Sequence, residues 1–184
     1  ERIAQKTIIN LAIEGDYKAA KYVLDSLGYA PTQRIEADVN TDINIVIGEW
    51  LALTNYRKGK ATKLSKNFNS TEFDCKCNGY CNKTIIDNRL VSLLQLIRNH
   101  FKKPVIINSG YRCLTHNKKV GGVTNSQHTK GKAADIVVKG VKPREVAAYA
   151  EKIGFNGIGI YNSFTHVDTR ASKACWGVTG LKSN

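Results

Sequence analysis

Long apolar runs are missing from this sequence. No stretch approaches the roughly 20 apolar residues that cross a bilayer, so no membrane span is expected. The opening residues Glu1-Arg-Ile-Ala-Gln-Lys6 also lack the basic start and continuous apolar stretch of a secretion signal. Acidic residues are scarce: 15 Asp and Glu stand against 28 Lys and Arg, a formal net charge of +13. The shortage is one-sided, because residues 1–60 carry 8 charges of each sign and all the positive excess falls on residues 61–184. Such an excess draws polyanions, and nucleic acid and the anionic bacterial wall both qualify; a solubilising surface is the plainer alternative. Apolar residues are not scarce, at 42%, which excludes a disordered chain, and 184 residues accommodate one ordinary domain with a small appendage.

A second C-x-x-C half is absent too. Cys75-Lys-Cys77-Asn-Gly-Tyr-Cys81 is too compact for the usual zinc ribbon, and the remaining cysteines, Cys113 and Cys175, stand alone. A second metal site, one or two disulfides, and reduced thiols all remain open for these five residues, whose odd number leaves at least one unpaired if the others are bridged.

What is present centres on Ser126-Gln-His-Thr-Lys-Gly-Lys-Ala-Ala-Asp135 and, downstream, Phe164-Thr-His-Val-Asp168. His128, Asp135 and His166 offer two imidazoles and a carboxylate, a ligand set that suits catalytic Zn²⁺ and leaves a fourth position open for water. The step from His128 to Asp135 contains Gly131 and runs into the β-branched Ile136-Val137-Val138, so the spacing predicts a loop feeding a strand. Ser126 is expected to order that loop through a side-chain hydrogen bond to backbone and is also a candidate for substrate binding. Strand alternation places residues 166 and 168 on one face. Asp168 then has two readings: a general base beside the metal, or the acceptor of a histidine N–H or partner of Arg170.

These motifs resemble the zinc D-Ala-D-Ala carboxypeptidases and related peptidoglycan endopeptidases, with their Ser-x-His-x6-Asp pattern and later metal-binding His. The likeness extends through Asn108-Ser-Gly-Tyr-Arg112, His116-Asn-Lys-Lys-Val-Gly-Gly122, Gly157-Ile-Gly-Ile-Tyr161 and His166-Val-Asp-Thr-Arg170, roughly residues 66–177. It implies a zinc peptidase acting on peptidoglycan stems, an extracellular or cell-wall location or release from a phage-infected cell, and an α+β fold shared with the hedgehog signalling domain. It also implies that Arg112 grips substrate or faces the oxyanion, with a plain surface arginine or a salt bridge behind the ligands as its alternatives. His116, four residues on, is a candidate for substrate binding or oxyanion stabilisation, with plain polar surface as the alternative. One departure stands out: relatives place Glu or Asp three residues before the last metal His, or His two before it, where this chain has Ser163 and Phe164. That departure keeps alive an inactive metal-containing binding module. A nucleic-acid-binding protein is the third reading, supported by charge and by a terminase-like stretch near the start of the chain; no basic-aromatic motif accompanies it, so nucleic acid is not expected as a partner.

The pattern along the chain predicts an α+β domain with a mainly antiparallel sheet and flanking helices, preceded by a small helical segment. Two helices are expected within 3–28, where Glu14 to Pro31 resembles part of the small terminase subunits of tailed phages; a helical packing or oligomerisation element is the alternative there. Ile43 to Tyr56 suits a helix or a strand, and the lysine-rich Asn55 to Ser65 reads as a linker, dividing the chain into 1–61 and 62–184. Beyond it, Ser70 or Thr71 is expected to cap a helical turn, a helix to run from about Asp87 to His100, and a strand to cover Pro104–Asn108. A strand over Ala134–Val138, a helix opening at Pro143 and stopping at Gly154, and a hairpin of strands 157–161 and 164–169 complete the domain. Tyr111, Tyr161 and Trp176 are candidates for a cleft wall or for core.

Overall fold

The computed structural model describes residues 53–177. The expected helices of 3–28, the terminase-like segment and most of Ile43 to Tyr56 lie outside them.

Helix α1 (Asn88–Phe101) forms where the sequence supplies both its ends and its face. Asp87 takes the N-cap and accepts from the Arg89 N–H, while Lys102 closes the helix in the left-handed region at φ 52°. Leu90, Leu93, Leu94 and Ile97 recur on one side and are all buried. Gln95 lies on the buried side too, and its amide is satisfied by Ser65, Asn67 and Asn99. Helix α2 (Leu114–Lys119) is short. Helix α3 (Pro143–Ile153) opens on Pro143 and ends at Gly154, whose φ of 105° is open to glycine and strained for other residues.

Strands β1 (Leu53–Arg57) and β2 (Lys83–Asp87) form an antiparallel pair. Five more strands, β3 (Val105–Ser109), β4 (Ala133–Val138), β5 (Gly157–Ile160), β6 (Thr165–Asp168) and β7 (Ala174–Gly177), build the main sheet in the order β3-β4-β6-β5-β7. All pairings in it are antiparallel except β5 with β7. This is the expected α+β architecture, with β7 as an addition: Ala-Cys-Trp-Gly has no alternation to betray a strand.

Alternation gives the sheet two different faces. Ile107, Ala134, Ile136, Val138, Ile158, Ile160 and Val167 join the apolar side of α1 and α3 in the principal core. The opposite face carries the polar residues. Along one row across the sheet, Ser109 lies opposite Asp135, Asp135 opposite His166, His166 opposite Gly159, and Gly159 opposite Trp176. A register shift between Ile107 and Ser109 brings Ser109 into this row.

Three local expectations are corrected. The turn at Ser70–Phe73 is a 3₁₀ turn capped by Asn69, not by Ser70 or Thr71, because the Asn69 side chain and Glu72 form a reciprocal capping box. The stretch Asn55 to Ser65 is not a linker. Leu53–Arg57 pair with Asp87–Lys83, and the backbone of Thr62 accepts from Ser70 N–H, so the boundary at 62 cuts through paired structure. Lys60 and Lys63 are exposed where the chain turns away from this pair, while Lys58 is half-buried.

Candidate metal centre and its surroundings

His128, Asp135 and His166 come from three different elements. His128 sits in a tight turn in which Ser126 O accepts from Thr129 N–H and His128 O from Gly131 N–H. Ser126 Oγ accepts from the His128 N–H at 3.3 Å, the ordering role expected of it. Gly131 adopts φ 70°, and a Cβ there would run into the Ile85 carbonyl, so glycine lets this turn lie against β2. Asp135 and His166 project from neighbouring strands at paired positions.

The ligand atoms converge. His128 Nε2 is 3.2 Å from His166 Nδ1 and 3.3 Å from Asp135 Oδ1, and His166 Nδ1 is 2.8 Å from the same oxygen. Ligand atoms about 2.0–2.1 Å from a tetrahedral zinc stand about 3.3 Å apart, so the trio fits such an ion with small adjustment. All three residues are buried.

The far side of each ligand is anchored, which fixes which atom faces the centre. His128 Nδ1 lies 2.7 Å from the Gly110 carbonyl; a carbonyl can only accept, so Nδ1 carries the proton and Nε2 offers its lone pair. His166 Nε2 lies 3.1 Å from Asp168 Oδ2, leaving Nδ1 for the centre. Asp135 turns Oδ1 inward, while Oδ2 accepts from Arg112 Nη2 at 2.6 Å.

Asp168 thus stands behind His166. Its side chain has no exposed surface and is held by Arg170 through contacts of 2.6–3.0 Å. Of its two readings, the geometry fits the residue that orients His166 and does not fit a base facing a substrate. Gly157 makes room for it, since a Cβ there would meet the Asp168 carboxylate. Arg112 forms a salt bridge with Asp135 Oδ2, and its Nε donates to Ser109 Oγ at 2.8 Å.

Charge follows from these contacts. Burial works to raise the pKa of Asp168, but hydrogen bonds from His166 and Arg170 outweigh it and bring it down to about 2. Burial likewise opposes Asp135, whose pKa is nonetheless held well below the carboxylate range by His128 and His166. His166 is raised: burial opposes its charge, and the two carboxylates on either side overcome that. His116, in α2, is half-buried; burial and then the nearby Arg112 charge lower its pKa.

On the β7 side, Trp176 and Tyr161 remain partly exposed, and Trp176 Nε1 donates to the Tyr161 hydroxyl at 3.0 Å. The indole lies 5.1 Å from the His166 ring, Arg170 stacks over it at 5.1 Å, and Tyr161 stacks on Phe164. These aromatics form a wall beside the centre. Tyr111 does not join them; it is buried among Cys75, Cys77 and Cys113. Ser163 is exposed and Phe164 is spent on Tyr161, so neither supplies a base.

Comparison with known proteins agrees with this geometry. The sequence model of the peptidase M15 family matches residues 66–168, more than half of the chain, and the chain belongs to that family. It is 36% identical over 88 residues to the zinc D-Ala-D-Ala carboxypeptidase of Streptomyces albus G, covering 44% of this chain and 34% of that protein. It is 33% identical over 75 residues to the peptidoglycan L,D-endopeptidase MepK of Escherichia coli strain K12, covering 37% of this chain and 41% of the relative. The aligned part therefore spans well under half of either relative.

Proposed function

We propose that this member of the peptidase M15 family is a zinc-dependent peptidase that cuts the peptide stems of bacterial peptidoglycan. The observation that carries the reading is the convergence of His128 Nε2, His166 Nδ1 and Asp135 Oδ1, each ligand anchored from behind. These residues would hold zinc, which would act there as a Lewis acid and lower the pKa of a bound water toward ~7. The protein's own residues do the rest. Gly110 and Asp168 brace the two imidazoles so that His128 Nε2 and His166 Nδ1 would face the metal, and Arg112 occupies Asp135 Oδ2, leaving Oδ1 to hold it. A guanidinium has five N–H donors, and those of Arg112 not spent on Asp135 and Ser109 address a substrate carboxylate or carbonyl oxygen. His116, kept neutral by burial and by Arg112, is suited to hydrogen-bond the substrate near that arginine. Trp176 and Tyr161 offer a flat wall for the stem. The positive excess of residues 61–184 supports work at the anionic wall, whether on a bacterium's own envelope or in phage lysis.

A terminal D-alanine would present a free carboxylate to Arg112 and an internal cross-link would not, which favours carboxypeptidase over endopeptidase action. Mass spectrometry of muropeptides treated with the zinc-loaded protein tests this. Release of free D-alanine is the expected result, and paired stem fragments would indicate an endopeptidase.

One observation favours a second reading, a zinc-containing wall-binding module without turnover. Among the described residues, the carboxylates at the centre are Asp135 and Asp168, one facing the metal position and the other locked behind His166. Wall binding with unchanged muropeptides would decide for that reading.

A further inference from the structure

Four of the five cysteines meet at one point. Cys75, Cys77 and Cys81 lie in the loop before β2, and Cys113 is brought to them by the turn after β3; all four Sγ atoms lie within 4.8 Å of one another. None is in a disulfide, and three of the four are buried. Disulfides would give each sulfur one close partner. Here each is close to three, which is the arrangement of a tetrahedron: four thiolates about 2.3 Å from a zinc stand about 3.8 Å apart. Cys77 and Cys81, at 3.4 Å, are already near that spacing.

The surroundings suit thiolates. The Cys113 N–H donates to Cys75 Sγ at 3.2 Å, and the His116 N–H donates to Cys113 Sγ at 3.4 Å. Lys58 Nζ donates to Cys77 Sγ at 3.3 Å and to the Cys77 carbonyl at 2.9 Å, placing a positive charge beside the cluster. N–H donors and a cation around sulfur offset the negative charge of a four-thiolate ion. Tyr111 and Ile85 pack against the cysteines and cover them.

We propose that Cys75, Cys77, Cys81 and Cys113 hold a second zinc ion in a closed, structural site, separate from the His128–Asp135–His166 centre. Its place in the fold says what it fastens. The segment Gly110–Cys113 contributes the carbonyl that orients His128, the Arg112 that holds Asp135, and the Cys113 that caps α2. That segment rests on the Phe73 backbone, where Tyr111 N–H bonds Phe73 O and Gly110 has no room for a Cβ. A zinc joining Cys113 to the 75–81 loop ties this arm down. All four ligand positions are protein sulfurs, so the site has no opening for water and serves structure, not hydrolysis.

The test is the metal content and spectrum of the full chain, purified under reducing conditions without chelator. Two zinc ions per chain are expected, falling to one in Cys81→Ser and in Cys113→Ser and restored to two in Cys81→His, which supplies a substitute ligand. His166→Ala should also bind one. After cobalt replacement, that variant should keep the intense ultraviolet sulfur-to-cobalt charge-transfer band and Cys113→Ser should lose it, so the two centres fail separately. Cys175→Ser, at an exposed position, should match the parent in both measurements. Cobalt-loaded protein lacking a sulfur charge-transfer band would overturn the proposal. So would zinc content unaffected by the cysteine substitutions, or an intact mass showing these four thiols oxidised to disulfides in freshly purified protein.

Discussion

Asp168 reaches His166 from behind: its Oδ2 lies 3.1 Å from Nε2, on the opposite side of the ring from the Nδ1 that meets Asp135. The ring is thereby clamped between two carboxylates, one at the metal position and one anchored to Arg170. Replacing Asp168 with Asn keeps an acceptor but removes the charge that holds the Nε2 proton and leaves Arg170 without its ion pair. The expected outcome for Asp168→Asn is metal affinity weakened by about 10- to 100-fold, the usual cost of losing such a partner. Zinc competition with a chromogenic chelator measures it. Normal affinity with turnover lost by ~10²-fold or more would instead mark Asp168 as an acid or base in the reaction.

The same clamp sets a pH dependence. Without metal, His166 donates to both carboxylates, and its pKa is raised above the ordinary histidine value. A group raised in the folded state stabilises the metal-free protein fully below its unfolded pKa, and that contribution fades as pH rises through the folded value. Metal must displace the Nδ1 proton, so zinc affinity should climb with pH until that folded value is passed, then flatten on this account. Isothermal titration in buffers of different ionisation enthalpy should count a proton released from His166 below that pH. Affinity independent of pH between 5 and 8 would place His166 outside the metal shell.

The loop at His128, the strand after Asp135 and the strand holding His166 were legible from Gly131, the β-branched run and the short apolar alternation, whereas the pairing that sets Asp135 opposite His166 is seen only in the structure. Alternation could place Asp168 on the same face as His166, but not on which side of the imidazole ring; the structure puts it against Nε2. Cys113 could not be joined to Cys75, Cys77 and Cys81 by spacing, because only the β3 register and the packing of Gly110 on Phe73 bring it there. Nor could Lys58 be told from a linker lysine, since its partner is a backbone carbonyl and a thiol distant in sequence.

The substrate contact proposed for Arg112 separates experimentally from its observed hold on Asp135. Arg112→Lys keeps the charge but cannot reproduce the fork that spans Ser109 Oγ and Asp135 Oδ2. The expected result is zinc stoichiometry unchanged and kcat/KM on a D-Ala-D-Ala peptide down by about 10²-fold, within the range for a lost transition-state donor. If zinc is lost while the residual loaded fraction turns over normally, Arg112 acts only by holding Asp135.

Gly159 lies opposite His166 and beneath Trp176, and a Cβ at this position would come within 2.6 Å of the indole Nε1. Gly159→Ala should therefore push Trp176 off the wall without touching a metal ligand. A higher KM with zinc content unchanged is expected, together with a shift in Trp fluorescence. Unaltered KM would remove the Trp176 face from substrate binding.

The lower end of the peptidase domain can be located by truncation, and β1 predicts where. A chain starting at residue 62 would keep every metal-site residue but lose Leu53–Arg57, leaving β2 without its strand partner, and would lose the Lys58 contacts to Cys77. β2 leads directly into Asp87, which caps α1, accepts from Thr169 Oγ1 at 2.6 Å, and receives at its N–H the bond to Gly131 O in the His128 turn. Damage to β2 therefore reaches the metal centre through two short connections. A chain starting at Leu53 is expected to fold and bind zinc like the full sequence, whereas one starting at residue 62 should show a lower Tm and reduced zinc retention on dialysis. Differential scanning calorimetry and metal analysis of the two side by side decide it. Equal Tm and equal zinc would mean that β1 is dispensable and that the domain begins at 62 after all.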